Sequence, residues 1–231
     1  MVIFLTRHGK TLFNTVHRVQ GWCDTPLTED GIRVAENLGI GLKESGIIFD
    51  AAYSSDLGRQ RDTARLVLDQ MGLSNMEVRE NRGLRETCFG SWEGELESVR
   101  DEAYCEIAGT ESIYDIYPQG SLYQDITVQT DTTGMAESLE TAQERMMGAL
   151  KEIAEAAVEN SEKNILVVSS GGIINTIIPL LGGEVAELKN ASVTMLYWHQ
   201  LHSFIFNSIT LSYRIQIRRR LPACFHGPYR F

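Results

Sequence analysis

Apolar positions along this chain fall into short β-prone runs that alternate with helical stripes. Residues 2–6 are apolar and stop at Arg7, the pattern of a short buried strand. Thr28 is a suitable N-cap, with Glu29 and Asp30 in the first turn, and Ile32, Ala35, Leu38 and Leu42 then recur at helical spacing. Phe49 to Tyr53 predict a second strand, Leu57 to Met71 a helix, and the segment around Val78 a third short strand. Leu139, Ala142, Met146, Leu150, Ile153 and Ala157 keep one apolar face over a long helix. Ile165 to Val168 is an unbroken apolar run, as expected of a central parallel strand buried on both faces. A helix over 173–181 and a strand over 193–197 follow. Strands alternating with helices imply a mainly parallel sheet covered on both sides, with any ligand site off the carboxyl ends of the strands. Three polar clusters sit at such ends: Arg7-His8-Gly9, Ser54 to Arg59, and Ser169 to Gly172.

Two segments break the rhythm. Residues 95–135 show no sustained period and hold Tyr104, Tyr114, Tyr117 and Tyr123 among acidic and small residues; they are expected to form an inserted cap or long excursion. Packing within that cap is the simpler role for the tyrosines, although they can also line an organic substrate. Residues 199–231 contain no Asp, Glu or Lys but carry Arg214, Arg218, Arg219, Arg220 and Arg230. Ile209, Leu211, Tyr213, Ile215 and Ile217 alternate there with polar residues, the pattern of a half-buried edge strand. The expected organisation is a domain over 1–198 and a divergent basic tail over 199–231.

Composition narrows the classes. A chain of 231 residues with 43% hydrophobic and 23% charged side chains is an ordinary globular protein. Its net charge of −10 argues against general binding of nucleic acid or of an anionic membrane. Cys23, Cys88, Cys105 and Cys224 form no CxxC pair, which fits a reducing compartment, and the opening apolar run is too short for a secretion signal. No run reaches the length of a membrane span. A cytoplasmic, soluble protein is expected.

His8 is the centre of the candidate chemistry. It stands between an arginine, which grips anions through two parallel donors, and a glycine, which lets a ligand approach the backbone closely. That setting suits an imidazole attacking phosphorus while a cation holds the phosphoryl oxygens. Leu5-Thr6-Arg7-His8-Gly9-Lys10-Thr11 with Asn14 resembles the signature of the histidine phosphatase superfamily, also called phosphoglycerate mutase-like. Further matches follow in order: Gln20-Gly21-Trp22-x-Asp24-x-Pro26-Leu27-Thr28, then Ser54-Ser55-Asp56-Leu57-x-Arg59-x-x-x-Thr63-Ala64, then Leu84-Arg85-Glu86 with Phe89-Gly90-x-Trp92-Glu93-Gly94, then Glu137-Ser138 and Arg145. The resemblance implies an α/β fold, a three-layer αβα sandwich with a mainly parallel central sheet and an inserted cap segment. It implies a phosphohistidine intermediate with no metal or cofactor, acting on a small phosphorylated substrate. Carried over, His8 is the nucleophile and Arg7 and Arg59 bind the phosphoryl group. Asn14, Gln20, Gly21, Ser170 and Gly171 line the phosphate or substrate pocket, and Glu86 protonates the leaving oxygen.

The run around Glu86 resembles the broad-specificity phosphatase branch and lacks the Glu-Arg-His-Tyr-Gly run of cofactor-dependent mutases. One departure bears on chemistry. The resemblance places a second histidine after the late strand, where this chain reads Val167-Val168-Ser169-Ser170-Gly171. Serine keeps a donor but loses reach and charge; losing one preorganised donor costs on the order of 3 kcal/mol in the transition state. His17, His199 and His202 are the candidates to replace that imidazole. The expectation is a metal-independent phosphatase of small phosphomonoesters, weakened at Ser170. The alternatives are a catalytically impaired member that binds a phosphometabolite or protein, and a phosphoglycerate mutase. An edge strand within 203–217 can pair two subunits into a homodimer.

Overall fold

A computed structural model describes residues 1–117, 119–185, 188–199 and 203–206. Strands β1 (Val2–Arg7), β2 (Ala51–Ser54), β3 (Val78–Glu80), β4 (Asn164–Ser169), β5 (Val193–His199) and β6 (Ser203–Phe206) form one sheet in the order β3-β2-β4-β1-β5-β6. The first four are mutually parallel, while β5 runs antiparallel to β1 and β6 antiparallel to β5. The alternating strand of 209–217 lies outside the described residues.

Strand pleat sorts the core into two layers. Ile3, Leu5, Ile165 and Val167 point to one face and pack against α6 (Leu139–Glu159) and α7 (Gly171–Ile177). Phe4, Leu166 and Val168 point to the other and pack against α2 (Glu29–Glu44) and α3 (Gly58–Met71). The molecule is therefore an αβα sandwich with a mainly parallel central sheet. Local signals act as the sequence suggests: the Thr28 and Ser138 hydroxyls accept from Gly31 N and Thr141 N and start α2 and α6. Pro179 cannot continue a helix, so α7 ends at Ile177 and the predicted run to 181 finishes as a 3-10 turn.

The segment 95–135 is more regular than its sequence predicts. It contains α4 (Glu97–Ala108) and α5 (Gly120–Thr130), joined through a 3-10 turn at Ile113–Asp115. These helices have their own small core of Tyr104, Ile116 and Ile126, with Trp92 and Tyr123 packed against it. Tyr104 meets Trp92 and Tyr123 edge-on at ring distances of 5.6 and 5.3 Å. Aromatic edges rather than an aliphatic stripe bury these helices, which is why no helical period stands out. A four-residue helix α1 (Leu12–Thr15) was also not apparent from periodicity. No helix among the described residues is long and apolar enough to cross a membrane.

The loop after β1 is pressed against the start of α2. A Cβ on Gly9 would lie 2.6 Å from the Gly31 carbonyl oxygen, and one on Gly31 would lie 2.1 Å from the Lys10 carbonyl oxygen. Both obstacles are backbone, so neither can swing away. Gly31→Ala is expected to destabilise the fold by about 3 kcal/mol through overpacking. Urea denaturation checks this, and a loss below about 1 kcal/mol would show that the contact relaxes freely.

Candidate active site

The carboxyl ends of β1 and β4 lie side by side, with Arg7 in register with Ser169 and the His8 amide bonded to the Ser169 carbonyl at 3.0 Å. His8 is almost wholly buried. Its Nδ1 lies 2.7 Å from the Gly9 carbonyl oxygen. A carbonyl can only accept, so Nδ1 carries the proton and Nε2 keeps its lone pair. Burial first, then the charges of Arg59 and Arg7, hold the imidazole pKa well below its ordinary 6.5. The result is a neutral, oriented imidazole beside two cations.

Helix α3 carries one of those cations. Arg59 has no exposed surface. Its guanidinium donates to Gly21 O at 2.7 Å, Cys23 O at 2.8 Å and Asp24 Oδ1 at 3.0 Å. Asp24 also accepts from the Gly58 amide at 2.6 Å, and so serves the amino end of α3 from across the fold. One helical turn on, the Thr63 hydroxyl accepts the Gly9 amide at 3.0 Å and donates to the Arg59 carbonyl at 2.7 Å. Arg7 donates to Leu188 O at 2.5 Å, and Asn190 Nδ2 donates to His8 O at 3.0 Å. Gly171 is needed here for space, because a Cβ would stand 2.9 Å from Arg7 Cδ and 3.0 Å from its Nε.

Glu86 is buried against the start of α7. Its carboxylate accepts from Thr87 N at 2.9 Å, Gly172 N at 2.8 Å and Ile173 N at 2.6 Å. Burial pushes its pKa above the usual carboxylate value, and the three amide donors only partly offset that rise. Its backbone oxygen is held by Trp22 Nε1 at 2.9 Å and by Arg145 Nη2 at 3.0 Å, with Arg145 paired to Glu137 at 2.7 Å.

The carried-over residues separate into two groups. Arg7, His8, Arg59, Glu86, Ser170 and Gly171 gather at the ends of β1 and β4 and the amino ends of α3 and α7. Asn14 and Gln20 are engaged in the loop itself. Asn14 and Thr11 form a reciprocal cap at the start of α1, and Gln20 accepts from Thr11 at 2.6 Å and donates to Thr25 at 2.9 Å. Gly21 is buried and contributes backbone, its carbonyl to Arg59 and its amide to Glu93 at 3.1 Å.

Sequence reasoning missed two side chains. Glu93 accepts the amides of Gly21, Trp22, Cys23 and Phe89 at 2.7–3.1 Å and organises the loop that encloses Arg59. Its place in the Phe-Gly-x-Trp-Glu-Gly run was the available signal. Gln60 is wholly buried and donates from Nε2 to Ser170 Oγ at 2.7 Å; nothing in its sequence neighbourhood marks it. Of the histidines considered beside Ser170, His17 lies on the surface near Glu97, 80% exposed. His202 falls outside the described residues.

The histidine phosphatase superfamily (branch 1) model matches residues 3–205, reaching into β6. This chain belongs to the histidine phosphatase superfamily. The structure of a phosphoglycerate mutase from Bacillus anthracis str. Sterne superposes with a TM-score of 0.85 at 38% identity, covering 90% of this chain and 92% of that one. A phosphoserine phosphatase from Entamoeba histolytica, in complex with 3-phosphoglyceric acid, gives 0.66 at 26% identity over 92% and 98%. A 2,3-bisphosphoglycerate-dependent phosphoglycerate mutase from Parvibaculum lavamentivorans is 34% identical over 125 residues, 52% of this chain and 58% of that protein. The alignment thus spans little more than half the length of that curated relative. Phosphatases and mutases both stand among these superfamily members, and phosphoryl transfer is what they share.

Removing the Arg59 guanidinium strands the buried Gly21 carbonyl and the partly buried Cys23 carbonyl and frees the loop over 21–24. Arg59→Ala is expected to destabilise the chain by about 3 kcal/mol. Equilibrium urea unfolding is the check, and a variant as stable as the parent would contradict the bracing role.

Proposed function

We propose that this chain is a metal-independent phosphatase that hydrolyses small phosphomonoesters through a phosphohistidine on His8. The observation that carries this reading is the buried His8 ring, with Nδ1 tied to Gly9 and Arg7 and Arg59 supplying positive charge around it. Nε2 attacks phosphorus and the P–O bond to the leaving group breaks. Glu86, whose pKa burial raises, gives its proton to the departing oxygen. Water then attacks the phosphoryl group and yields its proton to the Glu86 carboxylate. The P–N bond breaks, Nε2 recovers its electron pair, and inorganic phosphate leaves. Arg7 and Arg59 meet the charge on the equatorial oxygens throughout, as planar guanidiniums suit.

A phosphoglycerate mutase is the second reading. It is favoured by the higher identity to the Bacillus anthracis mutase, 38% against 26% for the Entamoeba histolytica phosphatase. The Phe89-Gly90-x-Trp92-Glu93-Gly94 run supports the phosphatase reading, because it stands in place of the mutase run. Assay of 3-phosphoglycerate with and without 2,3-bisphosphoglycerate separates the two.

Rapid quench after mixing with a radiolabelled phosphoester is expected to leave acid-labile label on the parent chain and none on His8→Ala. An unlabelled parent across a broad phosphoester panel would sink the enzyme reading and leave a phosphate-binding protein.

The pH profile of kcat/KM follows from the two shifts. His8 must be unprotonated to attack, and its lowered pKa puts the acid limb below pH 6.5. Glu86 must hold a proton, and its raised pKa puts the alkaline limb above the ordinary carboxylate value of 4.5. Glu86→Gln is expected to lower the rate at least about 100-fold and to remove the alkaline limb. An alkaline limb that survives the substitution would assign it to another group.

A further inference from the structure

Ser170 and Gln60 are 110 positions apart in sequence and meet at 2.7 Å, both with essentially no exposed surface. Ser170 is the last residue before α7, between Ser169, whose carbonyl accepts the His8 amide, and Gly171, which packs on the Arg7 guanidinium. Gln60 follows Arg59 directly on α3. The pair is therefore built on the backbone that also carries Arg59 and that adjoins His8 and Arg7.

Its hydrogen-bonding capacity is only half used. The Ser170 oxygen accepts from Gln60 Nε2, and its hydroxyl makes no capping bond to α7. The Gln60 Oε1 atom is buried with no hydrogen-bond partner. A buried amide oxygen left without a donor is costly unless something else fills the place. A hydroxyl whose oxygen already accepts still has its proton to give. Rotating the amide by 180° exchanges the roles and still leaves the pair with a donor to offer.

We propose that Gln60 is a positioning residue that holds Ser170 so that the two together present a neutral hydrogen-bond donor to a bound phosphoryl group. The inference rests on reading this pocket as a phosphoryl site. On this account the site carries its positive charge on Arg7 and Arg59, and the Gln60–Ser170 side contributes direction without charge. It also sets a steric limit at position 170. A bulkier side chain there must displace a wholly buried amide 2.7 Å away.

The test is a double-mutant cycle on the full chain with Gln60→Met, Ser170→Ala and the double variant. Inorganic phosphate is the probe, titrated by calorimetry, and each melting temperature is recorded alongside. Met keeps the length of Gln and removes its polar atoms, so the melting temperature is expected to stay close to the parent's. Each single variant is expected to weaken phosphate binding about tenfold, and the double variant no more than either one. Parent-like affinity in Gln60→Met, fully additive losses, or no phosphate binding by the parent would each overturn the proposal. A second arm compares Ser170→His with Gln60→Ala/Ser170→His. The single variant is expected to melt lower and the double to recover; an unperturbed single variant would show that Gln60 does not occupy that space. Binding is read without turnover, so a chain that couples Gln60 to Ser170 yet never labels His8 refutes the hydrolase and keeps the pair. A chain that labels His8 without coupling does the reverse.

Discussion

Arg59 is a cation with no exposed surface, and the loop after β1 is folded around it. A buried guanidinium is costly where its donors go unmet; here the Gly21 and Cys23 carbonyls and the Asp24 carboxylate take three bonds from its terminal nitrogens, while Nε is buried without a partner. The same loop gives its amides to Glu93, so it is gripped by a cation on the Gly21 and Cys23 carbonyls and by a carboxylate on the N–H groups of Gly21, Trp22 and Cys23. Helix α3 extends the same control to His8 through Thr63, which takes the Gly9 amide. One helix face thus sets the loop, the backbone beside the imidazole and the nearest buried charge.

Burial acts on His8 and Glu86 in opposite directions for one physical reason. Removing water disfavours whichever form is charged, so the imidazole is pushed towards its neutral base and the carboxyl towards its neutral acid. Phosphoryl transfer to an imidazole with protonation of the leaving oxygen asks for those two states at the same pH. The three amides that hold the Glu86 carboxylate work against that trend, and they also fix where it points. Gly172 makes the arrangement possible, because a Cβ there would come within 2.8 Å of both carboxylate oxygens.

The cap has a different logic. Its tyrosines were candidates for a substrate wall, but Tyr104 and Tyr123 are spent on packing with Trp92, while Arg100 lies within 6.0 Å of both their ring centres. Tyr114, 77% exposed, joins that cluster only at its rim, through Tyr117, whose ring lies 6.0 Å from it and 5.3 Å from Tyr123. The cap is therefore a small aromatic core of its own, separate from the two aliphatic layers on the sheet.

Elements whose signals are local can be read along the chain alone. The apolar runs of β1 and β4, the Thr28 cap, the stripe of α6 and the polar clusters at strand ends were all legible, because each depends on residues within a turn or a strand of one another. The chain alone also shows which family it resembles, through ordered motifs that carry the His8, Arg7, Arg59 and Glu86 set. Helices α4 and α5 were not legible, since aromatic edges contributed from several elements bury them. The reversed direction of β5 was hidden too, because strand direction is settled by which edge is open when the strand arrives. It takes the packed fold to show that Gln60 faces Ser170, that Glu93 braces the loop around Arg59, and that Asn14 and Gln20 spend hydrogen bonds on that loop. Those pairings join residues far apart in the chain, and burial, which forces each polar group to find a partner, exists only once the layers have closed.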